Sequence, residues 1–311
     1  MVSLCASSEQ NPDVSVVIPT YNRCSMLEEA IASVLAQQFE GTVEIIVVDD
    51  NSQDGTADMI RQRYPSLHLM SLSHNIGPSA ARNRAISVAQ GKYIAFLDSD
   101  DLWEPNYLQS QMIALEGQIQ GFGVSDLLVW DTAANRKRIR IQRPNFKKYC
   151  SPVHHLLVSN FIQTLSSVVV PRLAFEQIGY FDEKMRTGED GDLYIRCIIS
   201  GYAPIFTNQP GVIKREHGKA QLTDTRNLKL MEQCRFRRIK KFYASSHQNL
   251  DTVPARQQVY SETYLNFAKQ YFKNNDVLNW LISYLYVAFN TDVKYAITNM
   301  KLDVKKRYRA P

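Results

Sequence analysis

The sequence lacks the features that mark several large classes of protein. It contains five cysteines without a C-x-x-C pair, which disfavours both a disulfide scaffold and a cysteine-rich zinc module. No N-x-S/T sequon occurs, and residues 1–13 show no basic segment followed by an apolar stretch, so no signal peptide is predicted. These absences favour a reducing compartment and predict a cytoplasmic protein.

Long apolar runs and the glycine motifs of nucleotide binding are also missing. The longest apolar-rich run, residues 277–289, is interrupted by Asn279 and Ser283 and falls short of the ~20 residues that a membrane-spanning helix needs. Neither G-x-G-x-x-G nor G-x-x-x-x-G-K-[ST] is present, which argues against a dinucleotide fingerprint and a P-loop. An integral membrane protein is therefore not expected.

Charge is distributed unevenly along the chain. Residues 1–225 carry 20 basic and 25 acidic side chains, whereas residues 226–311 carry 16 basic and 6 acidic ones. Such a basic tail is usually a solvated helical surface; the alternative is attachment to an anionic membrane or an acidic polymer. No recognised nucleic-acid-binding module accompanies the basic residues, so nucleic acid is not an expected partner.

The N-terminal part of the chain alternates between short apolar runs and amphipathic segments. The segments between the runs are predicted as helices, the first of them opened by a capping box at Ser25 and Glu28. This β-α-β alternation predicts a mainly parallel sheet with helices on both faces. The runs that are typical of buried strands are 14–18, 44–48, 68–72 and 93–97.

Polar clusters follow three of these predicted strands, at 20–22, 49–52 and 98–101. Parallel sheets bind ligands at the carboxyl ends of their strands, so the three clusters predict one site at one edge of one sheet. Further along, 122–130 and 138–142 are predicted as a hairpin. A strand and a helix follow it, and beyond residue 224 only helices are expected.

Five segments, in order, resemble the inverting glycosyltransferase family 2, whose members have the GT-A fold. The chain does not resemble the processive, membrane-embedded synthases of that family, because it lacks a Q-x-x-R-W motif and multiple spans. The matching segments are VSVVIPTYNR (14–23), VVDDNSQDGT (47–56), NIGPSAARNRAI (75–86), YIAFLDSDD (93–101) and GYFDEKMRTGEDGDLYIR (179–196).

The resemblance implies an activity and a domain organisation. The activity is metal-dependent, inverting transfer of a sugar from a nucleoside diphosphate sugar, by expectation a UDP-sugar, to a hydroxyl of a glycan or lipid-linked acceptor. The implied GT-A catalytic domain is 1–224, with a nucleotide-sugar half at 14–101 and an acceptor half at 102–224. The remaining residues, 225–311, form a basic helical extension, and a lipid-linked acceptor suggests peripheral contact with the inner face of a membrane.

The cluster at 98–101 suggests a metal site. A divalent cation held by carboxylates can neutralise the charge that builds on a diphosphate leaving group, and Mn²⁺ or Mg²⁺ suits such hard oxygen ligands. By resemblance Asp100 binds the cation, Asp98 meets the ribose or a water on the metal, and Ser99 lies against the nucleotide. The alternative is that the two carboxylates cap the next helix. By resemblance His217 is a further metal ligand; the alternative is that it is an exposed loop histidine. Arg215 is an alternative candidate for binding phosphate.

The resemblance also assigns the nucleotide contacts. Asp50 accepts the uracil N3–H, Pro19, Thr20 and Tyr21 line the base pocket, and Arg82 contacts the nucleotide or its diphosphate. For Asp50 the alternative is a turn held by side-chain hydrogen bonds before the next helix.

Asp190 is assigned the role of general base, because inverting transfer needs a group that takes the proton of the acceptor hydroxyl. Glu189 then orients the acceptor or braces the loop. The alternative for Asp190 is an N-cap, a position for which Asp192 competes. Two rival functions remain: a non-catalytic, nucleotide-sugar-binding assembly subunit, and a sugar-phosphate nucleotidyltransferase. The second needs a glycine-rich loop with a basic residue after the first strand, and the sequence has none there.

Overall fold

The computed structural model describes residues 3–4, 11–217, 224–245, 253–291 and 293–308. The chain divides into two compact units, one formed by 1–143 with 162–219 and the other by 144–161 with 220–311. The segment 144–161 thus clusters with the C-terminal helices. The domain limits expected from the sequence, 1–224 and 225–311, stay predictions.

All ten strands of the described residues belong to one sheet in the first unit. Its order is β1-β3-β2-β5-β9-β7-β10-β6, with β4 added to β3 and β8 added to β7. The strands are β1 (Ser3–Leu4), β2 (Val14–Thr20), β3 (Thr42–Asp49), β4 (His68–Ser71), β5 (Tyr93–Phe96), β6 (Leu102–Trp103), β7 (Gly121–Asp131), β8 (Arg136–Arg140), β9 (Val168–Pro171) and β10 (Ala203–Glu216).

The helices fall into the two units, with α1–α4, α6 and α7 in the first and α5 and α8–α11 in the second. They are α1 (Cys24–Leu35), α2 (Thr56–Arg63), α3 (Pro78–Val88), α4 (Tyr107–Leu115), α5 (Pro152–Val158), α6 (Ala174–Ile178), α7 (Glu189–Ile199), α8 (Leu228–Ala244), α9 (Arg256–Lys273), α10 (Val277–Asn290) and α11 (Val293–Tyr308). No helix of the described segments is long and apolar enough to cross a membrane.

The predicted α/β architecture is confirmed. Strands β1 to β5 pair in parallel, as the alternation of strands and helices requires, and all seven residues of β2 are buried. Strand β9 joins β5 and β7 in antiparallel pairs and so connects this parallel half to β7 and β10. The predicted hairpin is present as β7 and β8.

The predicted capping box of α1 is wrong. The helix begins at Cys24, with Ser25 and Glu28 inside it, and no side chain of its N-cap residue closes it. Instead, Asp54 from the loop after β3 accepts the Cys24 N–H at 2.9 Å. The same two loops are joined a second time, because Gln53 donates its N–H to the Asn22 side chain at 2.7 Å. An acceptor from a distant loop therefore replaces the local cap.

The second unit has a core of its own, formed by helices. Apolar side chains of α8 to α11 form this core, including Phe267, Tyr271, Trp280 and Tyr284. The turn that separates α9 from α10 is closed by Asp276, whose carboxylate accepts the Asn279 N–H at 3.1 Å. Helices beyond residue 224 were expected from the sequence, and the described residues there confirm them.

Candidate functional site

The polar clusters meet at one edge of the sheet. Strands β2, β3 and β5 are parallel neighbours, so the residues that follow them lie at the same edge. Strand β10 runs antiparallel to β6, with Ile213 opposite Leu102. This pairing brings the end of β10 back beside the cluster at 98–101, and it explains how residues more than 100 positions apart share the site.

Asp100 and His217 are in direct contact. His217 Nε2 lies 3.1 Å from Asp100 Oδ2, and Arg23 donates to the same oxygen at 2.7 Å. Burial of Asp100 would raise its pKa, but the hydrogen bond from His217 and the charge of Arg23 hold that pKa below its ordinary value. The structure thus places the two predicted metal ligands together and adds Arg23, which the sequence did not single out.

The two ring nitrogens of His217 have different surroundings. Its side chain is 6% exposed, and its Nδ1 atom is buried without a hydrogen-bond partner among the residues that the structure describes. A buried polar atom without a partner is uncommon in folded proteins and calls for an explanation. No group of three or more histidine, cysteine or acidic side chains positioned for a metal occurs within the described residues.

Asp101 supports the loop from beneath. Its Oδ2 accepts the hydroxyls of Ser166 at 2.7 Å and Thr164 at 3.0 Å, and its Oδ1 accepts the Arg215 N–H at 3.2 Å. Burial, and the charges of Asp100 and Asp98, raise the pKa of Asp101 to about 7. The sequence analysis missed this role, although the third carboxylate of the DSDD segment was the available signal.

Arg215 fastens the same loop to α1. Its buried guanidinium donates to the Asp100 carbonyl and the Glu29 carboxylate, and reaches the Met26 carbonyl at 3.2 Å. These donors have protein acceptors, so the alternative of a phosphate clamp at Arg215 has no support from the structure.

Arg82 joins two carboxylates from different parts of the chain. It donates from Nη2 to Asp98 at 2.6 Å and from Nη1 to Glu189 at 2.7 Å, and it is 5% exposed. Burial would lower the Arg82 pKa, but the two carboxylates raise it, so the guanidinium stays charged. The sequence placed Arg82 against the nucleotide; the structure gives both terminal nitrogens carboxylate partners. Arg84, two positions on, is exposed.

Helix α7 has three acids in its first turn, Glu189, Asp190 and Asp192. It starts at Glu189, after Gly188 in the left-handed conformation with φ 71°. Burial and the neighbouring charge of Asp190 raise the pKa of Glu189, against the opposite effect of Arg82. Asp190 is the second residue of the helix and is half-buried, with its carboxylate 2.6 Å from the Gly191 N–H. The N-terminus of a helix favours negative charge at this position.

Both capping alternatives for this helix are wrong. Its N-cap residue is Gly188, which has no side chain to accept a hydrogen bond. Asp192 is buried inside the helix and pairs with Arg196 at 2.9 Å. Asp190 therefore does not cap α7.

The predicted base-pocket residues lie where β2 and β3 end. Both carboxylate oxygens of Asp50 accept backbone N–H groups, from Ile76 at 2.7 Å and from Gly77 at 2.8 Å. Asp50 thus fixes the segment before α3. Pro19 and Thr20 are buried at the end of β2, whereas Tyr21 is 48% exposed.

A cavity of about 570 Å³ opens next to Arg23, between the start of α1 and helix α2. Cys24, Asp54 and Met59 also line it. It does not coincide with the predicted base pocket at the ends of β2 and β3. Ser99, expected at the nucleotide, is buried within the loop.

Comparison with known proteins decides the family. The family model "Glycosyl transferase family 2" matches residues 15–145. The chain is 43% identical over 104 residues to the putative teichuronic acid biosynthesis glycosyltransferase TuaG of Bacillus subtilis, which covers 32% of this chain. The chain therefore carries a glycosyltransferase family 2 domain. The aligned part is 41% of that relative's own length.

Solved structures share the fold of this chain. S. aureus TarS 1-349, in complex with UDP-GlcNAc, superposes with a TM-score of 0.59 and 16% identity, covering 95% of this chain and 91% of that one. The mannosyltransferase PcManGT of Pyrobaculum calidifontis, in complex with GDP-Man and Mn²⁺, gives a TM-score of 0.57 and 17% identity, covering 98% of this chain and 90% of that one. At this level of identity the likeness establishes the fold, and the predicted GT-A class is confirmed.

Proposed function

We propose that this chain is a metal-dependent, inverting glycosyltransferase of polysaccharide or cell-surface glycan synthesis. It moves a sugar from a nucleoside diphosphate sugar, taken to be a UDP-sugar, to a hydroxyl of a glycan or lipid-linked acceptor. The observation that carries the proposal is the contact of Asp100 with His217 at the sheet edge, within 3.1 Å. That pair, together with an acid at the start of α7, favours a transferase over a binding-only subunit.

Asp100 and His217 would hold the cation. Carboxylate and imidazole are suitable ligands for Mn²⁺, and a cation held by both side chains would take the place of the hydrogen bond between His217 Nε2 and Asp100. A cation at this place supplies charge neutralisation for the diphosphate leaving group. The side chain of Arg23 is 28% exposed, so it can turn towards solvent when another positive charge meets Asp100. Substrate phosphates complete such partial ligand sets for Mn²⁺ or Mg²⁺.

Donor recognition falls to the neighbouring strand ends. Thr20 keeps a buried Oγ1 without a partner among the described residues, and Tyr21 exposes its ring beside it. Asp50, tied to the 76–77 backbone, still has a lone pair on each oxygen for a base N–H. The UDP-GlcNAc complex of TarS supports a uridine donor, and the GDP-Man complex of PcManGT keeps guanosine as the alternative.

Asp190 acts as the general base in this mechanism. Its carboxylate takes the proton of the acceptor hydroxyl while that oxygen attacks the anomeric carbon from the face opposite the diphosphate. Attack from that face inverts the configuration. Glu189 does not compete for the proton, because it is buried and accepts a hydrogen bond from Arg82. Through Arg82, Glu189 connects the start of α7 to Asp98.

A donor-hydrolysis screen tests the proposal. UDP-, GDP- and dTDP-sugars are each incubated with the full chain, with Mn²⁺, with Mg²⁺ or with excess chelator. We expect release of one nucleoside diphosphate that depends on added metal. Equal release in chelator would contradict the metal. Formation of a nucleoside triphosphate and a sugar 1-phosphate when pyrophosphate is added would indicate nucleotidyl transfer instead.

We further propose peripheral contact with the inner face of an anionic membrane through the second unit. Helix α10 exposes an apolar stripe at Leu278, Leu281, Leu285 and Phe289, between 41% and 87% exposed. The unit that carries this stripe includes the basic part of the sequence, and an anionic leaflet attracts each nearby lysine or arginine by about 1 kcal/mol. The terminal basic side chains, from Lys305 on, lie outside the described residues. The alternative remains a solvated helical surface.

A further inference from the structure

We propose that Cys150 is a nucleophilic thiol, prepared by His154 and Glu262, which exchanges with small disulfides to form a mixed disulfide. The site lies entirely within the second unit and is independent of the transferase activity proposed above. It is defined by three side chains in series: the Cys150 thiol, the His154 imidazole and the Glu262 carboxylate.

The three groups are connected atom by atom. Cys150 Sγ lies 3.3 Å from His154 Nδ1, and His154 Nε2 lies 2.8 Å from Glu262 Oε2. A nucleophile beside a base that is oriented by a third group is the arrangement that activates cysteine and serine nucleophiles. Here the residues come from the start of α5 and from α9, so the tertiary fold creates the series.

The hydrogen bonds fix the tautomer of His154. The backbone N–H of Cys150 points at Nδ1 at 3.3 Å, so this nitrogen carries a lone pair and faces the cysteine. The proton is therefore on Nε2, where Glu262 accepts it. Nδ1 has a single lone pair, so it takes the proton of the Cys150 thiol in place of the hydrogen bond from the Cys150 backbone N–H.

Glu262 faces the His154 ring as a charged carboxylate. Although burial raises the pKa of Glu262, the hydrogen bonds from His154 and Gln258 lower it below its ordinary value, so the carboxylate is charged at neutral pH. The ring itself is held in place, since His154 is 2% exposed and its backbone N–H donates to Ser151 at 3.0 Å.

Other charged and titratable groups surround the series. The ring of Tyr149 packs edge-on against His154, with the two centroids 5.1 Å apart. Lys148 acts on Glu262 and on the neighbouring His155, and Arg235 also acts on His155. Tyr243 feels the charges of Cys150, Glu262 and Arg256.

The reaction balances without a further reagent. The Cys150 thiolate attacks one sulfur of the disulfide, a new S–S bond forms as the old one breaks, and the leaving thiolate takes the proton held by His154. Cys150 is oxidised to the mixed disulfide and the other half of the reagent is reduced to a thiol. Access is open, because Cys150 is exposed, whereas Cys197 and Cys234 are buried.

Cys24 provides an internal control. It is half-buried, and burial together with the charges of Asp54 and Glu28 raises its pKa, so its thiol stays protonated at neutral pH. Cys24 should therefore react more slowly than Cys150 with the same reagent.

The test follows reaction of the full chain with 5,5′-dithiobis(2-nitrobenzoate) at about pH 6.5 and locates the adducts by peptide mass spectrometry. We expect Cys150 to be modified first, at least about tenfold faster than Cys24, and Cys150→Ser to remove that phase. His154→Gln should slow Cys150 by about tenfold, and Glu262→Gln by a smaller factor. Near pH 9, where ordinary thiols are ionised, both variants should approach the native rate.

Two results would overturn the proposal. One is a Cys150 rate no greater than that of Cys24 at the lower pH. The other is a Cys150 rate that stays unchanged in Glu262→Gln, a half-buried position whose substitution keeps the shape of the side chain. This second variant keeps the test decisive even where His154→Gln fails to fold.

Discussion

Arg82 Nη1 lies 2.7 Å from Glu189 Oε1, and the same guanidinium reaches Asp98 with its other terminal nitrogen at 2.6 Å. The pair connects α3 to the first turn of α7 and, through Asp98, to the loop after β5. The proposed base at Asp190 follows Glu189 directly. A buried ion pair therefore fixes the position of the first turn of α7, which carries the proposed base, relative to Asp98 in the loop after β5.

Removing Arg82 should destabilise the first unit. Arg82→Ala leaves the Glu189 carboxylate buried without its cation, and loss of one partner of a buried pair costs about 3 kcal/mol or more. Urea unfolding measures the loss, and adding Glu189→Gln should restore part of it. Arg84→Ala, on the exposed side of the same helix, is the matched control. Equal stabilities for the two single variants would show that Arg82 does not hold the site together.

Asp190→Asn should separate binding from turnover. The amide keeps the size of the side chain but cannot accept a proton, so donor affinity should survive while turnover falls by about 10²–10⁴-fold. The control is Asp192→Asn, which loses the ion pair with Arg196 and should lower stability rather than turnover. A fall in turnover of less than about tenfold would assign the base elsewhere, and a product of retained configuration would reject the mechanism.

His155 should make the stability of the second unit depend on pH. Burial, helped by the charge of Lys148, lowers the pKa of His155 to about 4. In the unfolded chain the imidazole binds a proton below about pH 6.5, while in the folded chain it stays neutral down to about pH 4. The free energy of unfolding should therefore fall as the pH falls through this window.

The variant His155→Phe isolates that effect. Phenylalanine preserves the ring that stacks on Tyr149, whose centroid lies 4.2 Å away, but it does not titrate. The difference in unfolding free energy between pH 7 and pH 5 should shrink in His155→Phe and persist in His68→Phe, an exposed position. An unchanged difference in His155→Phe would mean that other groups account for the acid sensitivity.

The proposed membrane contact should be sensitive to salt and to the end of the chain. Truncation after Met300 removes five basic residues, and it should weaken co-sedimentation with anionic vesicles at low salt. Phe289→Glu should weaken it as well, because that side chain is 87% exposed on the apolar stripe of α10. Both variants should still hydrolyse donor, since every proposed site residue lies between 19 and 217. If both variants bind anionic vesicles as well as the native chain does, the apolar stripe of α10 and the chain end do not make the contact. These helices are then a solvated surface.

The sequence was informative where burial is uniform. The run at 14–18 predicted β2 because a central parallel strand is apolar on both faces, and its seven residues are indeed buried. The prediction of a capping box for α1 was wrong because the acceptor that closes the helix, Asp54, comes from another loop. Local spacing carries no information about such partners.

In the site, too, local pattern predicted the positions of residues better than it predicted their side-chain partners. The pattern placed Asp98 and Asp100 at one edge and the resemblance added His217, but the partners of Arg82 and Arg215 depend on where α7 and α1 pack. The resemblance assigned Arg82 to the nucleotide or its diphosphate, and Arg215 was an alternative phosphate clamp, while the structure pairs them with Glu189 and Glu29. Asp101 was missed because its hydroxyl partners, Ser166 and Thr164, lie more than 60 positions away.

The central claim is that Asp100 and His217 hold a cation together with the donor diphosphate. The direct measurement is titration of Mn²⁺, followed by its electron paramagnetic resonance signal, with and without UDP. We expect weak binding to the protein alone, tighter binding with UDP, and at least about tenfold loss in Asp100→Ala and in His217→Ala, with melting temperatures near the native value. The matched control is Glu116→Ala, an exposed carboxylate after α4, which should bind Mn²⁺ normally. Native affinity for Mn²⁺ with UDP in Asp100→Ala would contradict the account.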